Sequence, residues 1–183
     1  MIVGVDEAGR GPVAGPLAVA GVRVKTAVWP FSFSMRDSKK MTEKMRNEAF
    51  EWISQNTEHE VVFIQASKID KYGIKSALSE GVSLVLQKLY RKGDKVLLDG
   101  SLSADEKYKA TTIVKGDEKE TAIAMASVVA KVSRDRFMIE LAEKYPEYGF
   151  EKHKGYATAS HRKAIKEYGL CLQHRQSFCG NFV

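Results

Sequence analysis

The chain has 183 residues, 44% of them hydrophobic and 28% charged. This is the make-up of an ordinary globular protein, long enough for one domain with its own core, and it excludes fibrous, disordered and disulfide-stapled classes. A formal net charge of +6 suits a polyanionic partner such as nucleic acid without demanding one.

Two cysteines, Cys171 and Cys179, are too few for a disulfide framework. No apolar run approaches the roughly 20 residues of a membrane span. The N-terminus reaches Asp6 and Glu7 before a secretory signal can form. A soluble, reduced, cytoplasmic protein without membrane attachment is expected.

Met1 to Ala8 is predicted as a strand carrying Ile2, Val3 and Val5, broken by Gly9-Arg10-Gly11-Pro12. Leu17 to Val24 is a second strand, close enough to form an antiparallel hairpin. Trp29 to Lys40 is loop-like. Thr42 to Gln55 has Met45, Ala49, Trp52 and Ile53 at helical spacing. Glu60 to Ala66 is a third strand. Ser67 and Asp70 resemble a capping box that opens a helix. Its stripe is Ile74, Ala77, Leu78, Val82, Val85 and Leu89, and Lys92-Gly93 is its stop. Lys95 to Asp99 and Thr111 to Val114 are short strands. Glu118 to Lys144 is predicted as one long helix, and a short helix lies near His161 to Tyr168. Leu170 to Val183 has no period. The order implies an α/β domain with a mixed sheet and helices on both faces. In such sheets, ligands gather at strand ends near a switch in strand order.

Four acids stand where apolar strands stop. Asp6 and Glu7 end the first strand, Asp99 ends the fourth, and Asp117 follows the fifth. Taken singly, Asp99-Gly100 is an ordinary turn and Asp117 an ordinary helix cap. The adjacent pair Asp6-Glu7 is harder to explain that way. Neighbours on a strand point to opposite faces, so both serve one site only if the strand bends at the following glycines. Clustered acids repel one another. A divalent ion relieves that repulsion, and all-oxygen ligation suits Mg²⁺ or Mn²⁺. Two such ions catalyse phosphodiester hydrolysis.

Gly4-Val5-Asp6-Glu7-Ala8-Gly9-Arg10-Gly11-Pro12 with Gly15-Pro16 resembles the N-terminal motif of the ribonuclease HII family. The later blocks Asp37-Ser38-Lys39-Lys40, Leu98-Asp99-Gly100, Lys115-Gly116-Asp117 and Ala126 to Asp135 resemble that family in order. So do His153-Lys154-Gly155-Tyr156-Ala157-Thr158 and His174-Arg175-Gln176-Ser177-Phe178. The resemblance implies a three-layer ribonuclease H-like fold around a mixed five-stranded sheet, with a catalytic core over residues 1–145. Residues 146–183 would form a short helical and loop appendage that contacts substrate. It implies that Asp6, Glu7, Asp99 and Asp117 are catalytic and hold two Mg²⁺ or Mn²⁺ ions. It implies that Gly9-Arg10-Gly11 meets the ribose 2′-hydroxyl, and that Tyr156 packs on the neighbouring deoxyribose. Lys39, Lys40, Arg46, Lys131 and Arg134 are candidate phosphate holders, of which Lys39 and Arg134 are preferred. The expected substrates are RNA/DNA hybrids and duplex DNA containing ribonucleotides.

Gly73 stands where similar proteins suggest asparagine, and reads as a detail of a helix start. Ribonuclease HIII, another nuclease on the same fold and a non-catalytic nucleic-acid binder remain alternatives. His153, His161, Cys171, His174 and Cys179 invite a zinc reading, but their spacing fits no compact zinc pattern. A monomer is expected, since no coiled coil is evident. A sliding clamp is an allowed partner that no residue argues for.

Overall fold

The structure is a computed structural model that describes residues 1–25, Phe31 and 41–180. Lys39 and Lys40 therefore lie outside the described residues. Five strands form one sheet in the order β3-β2-β1-β4-β5. β1 (Ile2–Ala8), β2 (Leu17–Val24) and β3 (Glu58–Ile64) make an antiparallel meander. β4 (Lys95–Asp99) and β5 (Thr111–Ile113) add to β1 in parallel. Parallel pairing needs crossovers, which α2 (Ala66–Leu89) supplies between β3 and β4.

Side-chain alternation sorts the two faces. Val3, Val5, Leu17, Val19, Val96 and Leu98 pack on α2. Ala20, Val22 and Val24 pack on α1 (Glu43–Asn56) and α4 (Thr121–Lys144). Gly4 belongs to this second face. A Cβ there would lie 2.2 Å from the Ala122 carbonyl carbon, so the absent side chain lets α4 rest directly on β1. The C-terminal segment adds α5 (Phe150–His153) and α6 (Ala159–Tyr168). It forms a third apolar cluster with Val13, Ala14 and the end of α4, and a β-bridge joins Ala14 to His174.

Two helix expectations are corrected. α2 begins at Ala66 after Gln65 and has no side-chain cap, so Ser67 and Asp70 form no capping box. The Asp70 carboxylate instead accepts from the backbone N–H groups of Gln176 and Ser177 at 2.9 and 3.0 Å, a tertiary use that local spacing cannot reveal. Gly73, inside α2, has φ 81° and non-helical backbone, so α2 is two helical pieces and the second starts at this glycine, as expected. The expected helix from Glu118 is two pieces, α3 (Gly116–Lys119) and α4, parted by extended backbone at Glu120. Thr42 does cap α1, accepting from the Met45 N–H.

Candidate active site

The register of β1 on β4 ends at Val5 opposite Leu98. One step further sets Asp6 beside Asp99, on the face that α4 covers. Glu7 leaves from the other face. Pairing with β2 stays regular through Ala8, so β1 is straight at Asp6-Glu7 and the break falls at the following Gly9, with φ +90°. The two acids meet at the end of β4, where Asp6 stands level with Asp99 and Glu7 lies one residue beyond it. Carboxylate oxygens of Asp6, Glu7 and Asp99 can all lie within 4.8 Å of one another. Asp117 is outside that group of three. It is buried in α3, and its N–H donates to Asp99 Oδ1 at 3.3 Å.

Asp99 is set by the turn after β5. The Gly116 N–H donates to Asp99 Oδ1 at 2.6 Å, so the start of α3 holds this carboxylate from behind. Asp6 Oδ1 accepts from the Glu7 N–H at 2.7 Å, and Ser127 of α4 also donates to the Asp6 carboxylate. Burial, then the charges of Glu7 and Asp99, push the Asp6 carboxyl well above its ordinary value. Burial also raises Glu7, opposed by its hydrogen bond with Asp6 and by Arg10.

Glu7 Oε2 is buried with no hydrogen-bond partner. An orphaned carboxylate oxygen among like charges is what a hard cation satisfies. The donor set is all oxygen, which fits Mg²⁺ or Mn²⁺ and not zinc.

Beside the acids lies a cleft of about 390 Å³, lined by Glu7, Gly9, Arg10, Gly11, Arg46, Ser127, Lys131, Arg134 and Tyr156 among others. The structure thus gathers the Gly-Arg-Gly turn and Tyr156 around one opening. A Cβ on Gly11 would stand 3.9 Å from Tyr156 Cε1. Arg10 is exposed at the rim, donating to Ser101 Oγ at 2.9 Å and lying 3.8 Å from Glu7 Oε1.

Gly9 has φ +90°, and a Cβ there would collide with Arg134 Nε at 2.0 Å. That contact exposes a correction. Arg134 is only 1% exposed. Its guanidinium donates to the carbonyls of Pro16, Ala14 and Lys154 at 2.9, 3.2 and 2.9 Å. Burial makes it a positioning residue beneath the turn rather than a direct phosphate holder. Arg46 and Lys131 line the cleft as well. Arg175, given no role from sequence, is also buried and holds the same turn. Nothing in its local pattern separates a buried arginine from a solvated one.

A family model described as ribonuclease HII matches residues 3–181. The ribonuclease HII of Sulfurovum sp. (strain NBC37-1) is 44% identical over 97% of this chain and 90% of its own length. A chain of the PCNA:RNase HII complex from Archaeoglobus fulgidus superposes with a TM-score of 0.81 at 28% identity, covering 96% of this chain and 94% of that one. The ribonuclease H2 of Pyrococcus horikoshii OT3 gives 0.77 at 27% identity, over 96% and 92%. With the mixed sheet and the acidic strand ends in place, the chain belongs to the ribonuclease HII family and is a metal-dependent ribonuclease H, an endonuclease.

Proposed function

We propose that this enzyme hydrolyses the RNA strand of RNA/DNA hybrids. We further propose that it cuts on the 5′ side of a ribonucleotide embedded in duplex DNA, leaving 3′-hydroxyl and 5′-phosphate ends. One observation carries the reading: Glu7 of the acid cluster lines the same cleft as the Gly-Arg-Gly turn and Tyr156. The 2′-hydroxyl is the group that tells RNA from DNA. Side-chain-free backbone at Gly9 and Gly11 admits a sugar closely, while Arg10 at the rim meets phosphate. The Tyr156 ring, facing Gly11, packs on the neighbouring deoxyribose, where an added hydroxyl would clash.

Asp6, Glu7, Asp99 and Asp117 would hold two divalent ions. When bound, such a pair supplies activation of water and neutralisation of charge on the phosphate and the leaving 3′-oxygen. Asp99 is oriented by the Gly116 N–H. Asp6 is held against Glu7 by the backbone, and Ser127 steadies its carboxylate. The buried, donor-free Glu7 Oε2 supports a ligand role. Residues 146–183 would act as a substrate-contacting segment on the 1–145 core, since Tyr156 reaches the cleft from it.

We read the chain as a cytoplasmic monomer. No helix among the described residues is long and apolar enough to cross a membrane. A sliding clamp is a partner to test on the strength of the Archaeoglobus fulgidus complex alone. The decisive assay is cleavage of a DNA duplex holding one ribonucleotide, with Mg²⁺ and with EDTA. Cutting 5′ of the ribonucleotide, lost on chelation, is expected. Equal cutting of an all-DNA duplex would overturn the 2′-hydroxyl reading.

A further inference from the structure

Beneath the loop that carries Tyr156 lie three imidazoles. His161 is fully buried. Its ring stacks on His153 with centroids 4.3 Å apart, and Phe150 meets it edge-on at 5.4 Å. Its Nε2 lies 3.1 Å from Nε2 of His174. Its Nδ1 lies 2.9 Å from the carbonyl oxygen of Tyr156.

Groups of fixed character determine the protons. The Tyr156 carbonyl only accepts, so His161 Nδ1 carries the hydrogen. His174 Nδ1 faces the Cys171 N–H at 3.0 Å but also the Cys171 carbonyl and Sγ at 3.3 and 3.2 Å, so it is the contact with the lone pair of His161 Nε2 at 3.1 Å that places the His174 proton on Nε2. His174 Nε2–H then donates to the lone pair of His161 Nε2. His153 is fixed in the same way, accepting from the Gly155 N–H at Nδ1 and donating from Nε2 to the Tyr148 carbonyl. The His161 ring is neutral, because a second proton on it would set N–H against the N–H of His174. The chain of donors runs in one direction and ends on Tyr156.

The same loop is anchored on its other side. The Gly155 carbonyl accepts from Val13 and Ala14 at 2.9 and 3.2 Å, and Arg134 holds the Lys154 carbonyl. Tyr156 is itself half-exposed at the cleft, and its backbone bonds His153 and Thr158 as well as His161. Its place is therefore set through its backbone.

We infer that His161, kept in one tautomer by His174, is a positioning residue that sets Tyr156 against the substrate and thereby tunes discrimination at the RNA–DNA junction. This rests on the role proposed above for Tyr156. The readout is the ratio of kcat/KM on a duplex with one embedded ribonucleotide to kcat/KM on a uniform RNA/DNA hybrid. In the second substrate no deoxyribose follows the cut. His161→Ala is expected to lower that ratio roughly tenfold. His161→Asn places an amide N–H near the Nδ1 position and should restore most of it, whereas His161→Gln, with its amide one carbon further out, should not. An unchanged ratio in His161→Ala overturns the inference. If that variant does not fold, equal ratios in the Asn and Gln variants overturn it. A merely structural role would lower both substrates together and leave the ratio alone. A wild-type enzyme that does not cut beside the embedded ribonucleotide overturns the underlying reading of function instead.

Discussion

Arg175 donates from Nη2 to the carbonyl oxygen of Gly9 at 2.7 Å, and from Nη1 to that of Arg10 at 3.2 Å. Its Nε holds the Gly15 carbonyl at 3.0 Å. A trans peptide points its N–H opposite its C=O. Anchoring these two carbonyls inward therefore aims the amides of Arg10 and Gly11 toward the cleft those residues line. Burial and the nearby Arg134 charge pull the Arg175 guanidinium down to about 10, so it stays charged near neutral pH.

Arg175→Lys keeps a charge but loses the planar fork that spans two carbonyls. It should lower kcat/KM on an embedded ribonucleotide by about tenfold or more. It should also cost roughly 2–3 kcal/mol of stability, because buried acceptors lose their donors. Cleavage assays beside urea melts check this. Wild-type values for both would show that the turn stands without Arg175.

Asp6→Asn and Asp99→Asn should each reduce cleavage by roughly a thousandfold or more, since each removes a charged ligand from the ion site. Binding of a labelled hybrid should change little. Activity near wild type in either variant would remove these residues from the catalytic centre.

The acid cluster also predicts a stability effect. The Asp6 carboxyl is raised in the fold, by burial and by Glu7 and Asp99. Its favourable contribution is full below its unfolded value of 3.8 and is lost as pH rises through the folded value. Near neutral pH without metal, Asp6→Asn should therefore melt about 2–4 °C above wild type, roughly 1 kcal/mol. Mg²⁺ should raise the wild-type Tm and move the variant less. A variant that melts below wild type in EDTA would contradict the repulsion.

His161 titrates the opposite way. Burial, aided by His153 and His174 and opposed by the Tyr156 carbonyl, lowers it from 6.5 to about 4. His174 is lowered too, mainly by burial. The unfolded chain takes up these protons first, so stability is full above about pH 6.5 and falls as pH drops toward 4. One such ring accounts for up to roughly 3 kcal/mol. His161→Asn has no ring to protonate, so its unfolding free energy should fall less steeply across that window. The acid cluster is common to both proteins and cancels in the difference. Parallel curves would show that the imidazole does not titrate on unfolding.

Local pattern alone determined the strands, the core stripes of α1 and α2, and the acids at strand ends. Each is set by residues a few positions apart, through alternation, helical spacing or a Gly-Arg-Gly break. The five-stranded sheet and the ribonuclease H-like layers followed from the motif blocks, and the structure has them. The tertiary fold decided what distant segments do to one another. Asp6 and Glu7 converge at the end of β4, beside and just beyond Asp99, on a strand still regularly paired with β2. Asp70 abandons a helix cap for a segment 106 residues away. Arg134 and Arg175 are buried beneath a turn 118 to 166 residues away in sequence, where desolvation and carbonyl acceptors change their use. The protons on His161 and His174 are likewise set by the Tyr156 carbonyl and by the contact between the two rings. Burial and hydrogen-bond pairing are properties of contacts, and these contacts exist only once the C-terminal segment closes on the turn after β1.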